Sequence, residues 1–167
     1  MNFELKKLSP EAVDAALKKA QHYRLLNEPR QAESICRDIL DVAPGQRGAL
    51  ITLVLALTDQ FGSETAQKAA ESEKLIELLT DEYERAYYGG LVCERRATAY
   101  LDSQTPGSGG WAFDWFQRAM DLYERAESKR PSGNDDAILR WNTCARIIMR
   151  HRLEPVIEPV PEVTVEY

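Results

Sequence analysis

Apolar residues recur at intervals of three and four positions along most of this chain, and prolines or glycines interrupt the pattern between segments. That period places apolar side chains on one face of a helix, whereas a half-buried strand needs strict alternation. Val13, Leu17 and Ala20 begin the first stripe, and Asn27-Glu28-Pro29 ends it, because proline disfavours the helical conformation in the residue before it. We predict an all-α protein of seven helices joined by short turns.

Caps and breakers predict where several helices begin and end. Ser9-Pro10-Glu11 is typical of a helix start, and Pro44-Gly45 ends the second helix. The third helix, residues 46–61, is apolar nearly all round, so we expect it at the centre of the molecule. Residues 64–88 contain no glycine or proline and could form one helix or two. Thr80-Asp81 is the one plausible cap there, and we predict a turn at that point.

Glycines mark two further features of the second half of the chain. Gly89 and Gly90 lie inside a helical pattern, where each costs about 1 kcal/mol relative to alanine, so they predict close packing against another helix. The segment 104–110 predicts a flexible loop before a helix at 111–130. A last helix follows Asn134 or Asp135, either of which could cap it.

The composition fits one ordinary domain and narrows its partners. The chain has 167 residues and a net charge of −6, which disfavours nucleic acid and anionic membranes as partners. Its three cysteines are odd in number and widely spaced, so we expect no disulfide framework and no metal site, and a cytoplasmic location. We divide the chain into a helical domain, 1–153, and an acidic, proline-rich extended tail, 154–167.

Two segments share a pattern with a period near 34 residues. With the closing proline numbered 32, the first segment places Ala20 at position 8, Ala32 at 20 and Pro44 at 32. The second segment has Ala119 at position 20 and Pro131 at 32. The remaining matches are Tyr23 at position 11, Tyr123 at 24, Ala126 at 27 and Ala97 at 8. Small residues at 8 and 20 would let paired helices approach closely.

This pattern resembles the tetratricopeptide repeat, which has small residues at 8 and 20, tyrosine at 11 and proline at 32. Cys36 departs from it, since an aromatic residue is usual at that position. Ala97 and Ala119 are 22 residues apart in place of 12, and we expect the extra residues in the glycine-rich loop. The resemblance implies a right-handed α-solenoid of about three helix pairs, a C-terminal capping helix and a concave groove.

In such a groove, the first helix of each repeat supplies the residues that contact a partner. The resemblance implies these partner-binding residues here: Asp14, Gln21, Arg24, Glu94, Thr98, Asn142 and Arg146. Trp111 and Phe113 are added because aromatic side chains beside a flexible loop are common in interfaces. One subfamily grips the C-terminal carboxylate of its ligand with lysines and asparagines. Only Arg95 agrees with that set, so we do not expect that mode of binding.

The sequence therefore predicts an adaptor that binds a peptide or helical segment of another protein, without a cofactor. A small chaperone for a secreted or aggregation-prone client is an alternative. A structural homodimer assembled through residues 154–167 is another, since residues 140–152 carry four arginines and no acid, and the tail carries four glutamates and no base. The tail could then dock on its own helices or on a second copy. No motif assembles a nucleophile, a base and an oxyanion site, so an enzyme is not expected.

Overall fold

The structure, a computed structural model, describes residues 2–62 and 64–156, and the regular secondary structure within these ranges is helical throughout. A 3-10 turn (Pro10–Ala12) leads into the first of seven α-helices. These are α1 (Val13–Leu25), α2 (Pro29–Val42), α3 (Arg47–Thr58), α4 (Thr65–Glu77), α5 (Glu82–Ser103), α6 (Ser108–Lys129) and α7 (Asp136–His151). The all-α prediction is confirmed.

Helix α3 lies at the centre of the N-terminal part of the molecule. Each helix packs against the next one along the chain, and α3 also contacts both α1 and α5. Eight of its twelve residues are buried, including Leu53, Val54 and Leu57. Helix α3, which is apolar nearly all round, is therefore packed against other helices on several sides, as the sequence predicted.

Residues 64–103 form two helices, with the turn at the predicted place. The side chain of Asp81 accepts a hydrogen bond of 2.9 Å from the backbone N–H of Glu84 and caps the start of α5. A carboxylate there satisfies an N–H group that the helix itself leaves unpaired, and its charge favours the positive end of the helix dipole.

The predicted loop at 104–110 is shorter than expected, because α6 begins at Ser108 and not at Trp111. Gly107 has a φ of +82°, which reverses the chain within four residues. The extra residues of this segment therefore lengthen α5 and α6, which have 22 residues each. Their long mutual packing favours helix over loop.

The chain that follows α7 covers the start of α6. Leu153 lies against Gly109, and a Cβ atom on Gly110 would approach Val156 Cγ2 to 2.8 Å. Residues 153–156 are not helical. The prediction that the tail docks on the helices concerns mainly residues 157–167, which lie outside the described residues, and it stays a prediction.

Candidate functional site

Four arginines connect the odd-numbered helices through carboxylates. Arg24 of α1 and Arg95 of α5 both reach Asp59, which directly follows α3. Arg24 Nε is 2.6 Å from Asp59 Oδ2, and Arg95 Nη1 is 2.9 Å from Asp59 Oδ1. The other two pairs, joining α3 to α5 and α7 to α5, are Arg47–Glu84 and Arg140–Glu94. We call Arg24, Arg47, Arg95 and Arg140 the arginine row.

In every pair of this row the arginine is the more exposed partner. The four arginine side chains are 26–69 % exposed, whereas the three carboxylate side chains are only 7–18 % exposed. The carboxylates therefore lie behind the guanidinium groups and hold them in place. Each pair therefore presents to the solvent mainly the outer edge of its arginine.

A groove of about 330 Å³ lies between α1, α3 and α5, and two members of the arginine row line it. These are Arg24 and Arg47. The apolar part of the lining comes from Leu25, Ile51, Leu55 and Tyr88, and Gln21 and Thr52 add polar groups. An apolar surface with a few polar groups placed around it is typical of a binding site.

Gly48 lets α1 and α3 approach each other at this groove. A Cβ atom at that position would lie 2.6 Å from Leu17 Cδ2 and 3.2 Å from Gln46 Oε1. The Gln46 amide oxygen is fixed there, because it accepts a hydrogen bond of 2.6 Å from the backbone N–H of Ala49. A larger residue would therefore push α1 outward and change the width of the groove.

Of the residues predicted to bind a partner, Gln21 and Arg24 line the groove. Asp14 is exposed on the same helix, outside the groove lining. Thr98 is half-buried, and its hydroxyl donates a hydrogen bond of 3.0 Å to the backbone oxygen of Glu94. Of these four predicted residues, two line the groove and two do not.

Glu94 lies inside the protein and not on its surface. Its Oε1 atom accepts a hydrogen bond of 3.0 Å from Arg140 Nη1, and its Oε2 atom accepts one of 2.5 Å from the Tyr123 hydroxyl. Burial, with the nearby Glu94 charge, raises the pKa of Tyr123 far above its ordinary value, so the hydroxyl stays protonated and donates. Both carboxylate oxygens serve contacts within the protein, so Glu94 is not retained as a surface contact.

The remaining predicted residues lie on α6 and α7. Arg146 is exposed and Asn142 is half-buried on α7. Trp111 is half-exposed at the start of α6, and Phe113 is half-buried. None of these four residues lines the groove.

Trp115 on α6 is half-buried and lies between two cations. Arg96 Cζ lies 3.9 Å from the centroid of its ring, and Arg118 Cζ lies 4.5 Å from it. Contacts of this kind are stabilised by the electron density of the indole face. Because Arg96 belongs to α5 and Trp115 to α6, the first contact joins these two helices outside the groove lining.

Sequence reasoning missed most of the groove lining, including Leu25, Ile51, Leu55 and Tyr88. One signal was available: Arg47 and Asp59 flank a segment that contains no other charged residue. A charge at each end of an apolar helix indicates that both ends meet polar partners. The identity of those partners, 35 to 37 residues away along the chain, depends on tertiary structure.

A larger cavity, of about 690 Å³, is lined by residues of α2, by Lys68 of α4, and by Gln60 and Glu64 between α3 and α4. Most of its charged side chains pair with one another, since Arg37 contacts Glu33, and Lys68 contacts Glu33 and Glu64. The cavity is polar and offers little apolar surface to a partner. We therefore favour the groove between the odd-numbered helices as the functional site.

The described residues offer little for covalent or metal chemistry. Burial raises the pKa of Cys36 and of Cys144 to about 12 and that of Cys93 to about 11, so these thiols are protonated at neutral pH. Within residues 2–62 and 64–156, His, Cys, Asp and Glu side chains form no cluster of three that could hold a metal ion. None of the helices in these ranges combines the length and apolar character that a bilayer crossing needs.

Comparison of the chain with protein-family models, with curated proteins and with solved structures gives no match.

Proposed function

We propose that this protein is an adaptor that binds a peptide or a short helical segment of another protein in the groove between α1, α3 and α5. The observation that carries the proposal is the groove itself, which is built by three helices that are not consecutive in the chain. Peptide-binding grooves combine apolar contacts for affinity with polar groups that set the register of the ligand.

We also propose that the helices stack as a superhelix of the tetratricopeptide type. Consecutive packing, with additional α1–α3 and α3–α5 contacts, supports this arrangement. The alanines at the expected close-approach positions, Ala20, Ala32, Ala97 and Ala119, are completely buried. In such a stack the first helices of the repeats lie on the concave side, and a groove between α1, α3 and α5 would open on that side.

Selection of peptides from a displayed random library on the full chain, followed by affinity measurements, tests the adaptor function. Leu25→Asp is the informative variant, because Leu25 lines the groove yet is 83 % exposed, so its loss leaves the core intact. The matched control is Leu78→Asp, which changes an exposed leucine outside the groove. We expect Leu25→Asp to weaken binding about tenfold, as for an apolar anchor in an interface, and Leu78→Asp to leave it unchanged.

Two results would contradict the proposal. One is a selection that enriches no peptide above background. The other is a set of enriched peptides whose affinity responds to Leu78→Asp and not to Leu25→Asp, which would place the binding surface elsewhere. Light scattering on the eluted protein, run beside the selection, distinguishes peptide binding by a monomer from self-association.

A further inference from the structure

The arginines around the groove keep hydrogen-bond donors that no described residue uses. A guanidinium group carries five N–H donors. Arg95 reaches Asp59 through Nη1 alone, and Arg24 and Arg47 each use Nε and Nη2 with their carboxylates. Among residues 2–62 and 64–156, the remaining nitrogens of these three side chains have no side-chain acceptor. They are free to meet a ligand.

The charge around Asp59 is not balanced. This one carboxylate serves two arginines, Arg24 and Arg95, from two different helices. The group of three therefore carries a net positive charge on a chain whose total charge is −6. A local excess of one sign, placed beside a groove, favours a ligand of the other sign.

From this geometry we infer that the ligand of the groove is an acidic peptide in an extended conformation, whose carboxylates contact the exposed edges of the arginine row. This inference rests on the proposed adaptor function and adds the chemical class of the ligand. A carboxylate matches the planar fork of a guanidinium group and can accept two parallel N–H bonds from it.

The spacing of the helices adds a requirement on the peptide. Packed helix axes lie about 8–10 Å apart, and an extended chain advances about 3.3 Å per residue. Arginines on neighbouring odd-numbered helices would therefore meet carboxylates about three residues apart. Apolar residues between the acids would contact Ile51, Leu55 and Tyr88, which line the groove beside Arg24 and Arg47.

A pair of labelled peptides tests the inference by fluorescence anisotropy on the full chain. One peptide has four Glu-Ala-Pro repeats, and the other has glutamine in place of every glutamate. We expect the Glu peptide to bind at least about tenfold more tightly in low salt, and to lose most of this advantage as screening increases. Because the chain carries glutamates of its own beyond residue 156, a variant with Glu158, Glu162 and Glu166 changed to Gln is measured in parallel.

Substitutions around Asp59 separate recognition from folding. Arg24→Gln and Arg95→Gln each leave Asp59 with one arginine, so both variants should fold, and each should weaken the Glu peptide about fivefold. Asp59→Asn removes the competing charge but keeps the shape, and should strengthen the Glu peptide severalfold. A purely structural role of Asp59 predicts the opposite sign. Arg118→Gln, which removes an arginine charge outside the groove lining, is the matched control.

The outcomes are distinguishable from those that test the adaptor function. Equal affinity for the Glu and Gln peptides would overturn the inference that the ligand is acidic, but it would leave the proposal of peptide binding intact. The inference is also overturned if neither peptide binds while the displayed library yields peptides whose affinity falls in the Leu25→Asp variant. Tighter binding of a single-stranded oligonucleotide of equal charge would show that the arginines recognise phosphate and would also overturn it.

Discussion

Among the ion-paired clusters that join helices in the described part of the chain, two differ in burial. The exposed cluster, between α2 and α4, contains Glu33, Arg37, Lys68 and Glu71. The buried cluster, between α5, α6 and α7, contains Glu94, Tyr123 and Arg140.

The chemistry of the two clusters is similar, but water reaches them to different extents: the Glu94 side chain is 7 % exposed, whereas the Glu33 side chain is 19 % and the Glu71 side chain 36 % exposed. An exposed pair replaces contacts with water and contributes about 0–1 kcal/mol. A buried carboxylate that loses its partners has no water to replace them, so breaking it costs about 3–5 kcal/mol. The contribution of each cluster to the free energy of unfolding therefore depends on how deeply its carboxylates are buried, and not on how many ion pairs it contains.

The largest effect is expected from Glu94→Ala. This change leaves the Tyr123 hydroxyl and the inner edge of Arg140 without their acceptor, so the free energy of unfolding should fall by about 3 kcal/mol. Urea denaturation followed by circular dichroism measures it.

Cysteine labelling locates that loss. Cys144 packs in the same core cluster as Tyr123, whereas Cys36 lies in the cluster around α1 to α3. We expect Glu94→Ala to speed the modification of Cys144 more than that of Cys36. Equal acceleration of both thiols would show that the two halves open as one unit.

Adjacent glycines on α5 should respond in opposite directions to alanine. A Cβ atom on Gly90 would lie 2.7 Å from Tyr123 Cε1, in a buried ring that has little room to move, so Gly90→Ala should destabilise by about 1–3 kcal/mol. On Gly89 the nearest atom is Leu122 Cδ1 at 3.5 Å, an ordinary contact. Gly89→Ala should therefore stabilise by up to about 1 kcal/mol. Thermal unfolding of both variants measures the direction of each change in stability. Destabilisation by both substitutions would contradict the prediction.

The smallest effect is expected in the exposed cluster, at low pH. Burial alone would raise the pKa of Glu33, but hydrogen bonds from Gln60 and Arg37 lower it below its ordinary value of 4.5. The folded state thus favours the charged form, and the resulting stability is present above pH 4.5 and disappears as the pH falls through the folded pKa. Glu33→Gln should cost less than about 1 kcal/mol at pH 7 and less than that at pH 3.

Urea titrations of both proteins at the two pH values give this difference. The exposed Arg37→Ala variant serves as the comparison and should change stability by about 0.5 kcal/mol or less. If Glu33→Gln lowered the free energy of unfolding as much as Glu94→Ala does, the exposed cluster would be shielded from solvent. The contrast between the two clusters would then disappear.

The sequence by itself determined the helical class, the number of helices and most of their boundaries. These follow from local physics: the period of apolar residues, the proline at position 29 and the cap at Asp81 all act within one or two turns of the chain. It also indicated that α3 is central and that Gly90 is closely packed. The start of α6 was wrong by three residues, because the long packing of α5 against α6 favours helix at Ser108 to Gly110 and no local pattern reports that packing.

Only the tertiary structure decided which side chains form the groove and which serve the core. Gln21 and Arg24 were predicted and line the groove, whereas Glu94 was predicted beside them and is buried. Helical position alone could not separate these residues. Arg24 faces the carboxylate of Asp59, 35 residues away, at the surface, and Glu94 faces Tyr123, 29 residues away, inside the protein. Burial and partners depend on contacts between distant parts of the chain, which exist only after the helices have packed.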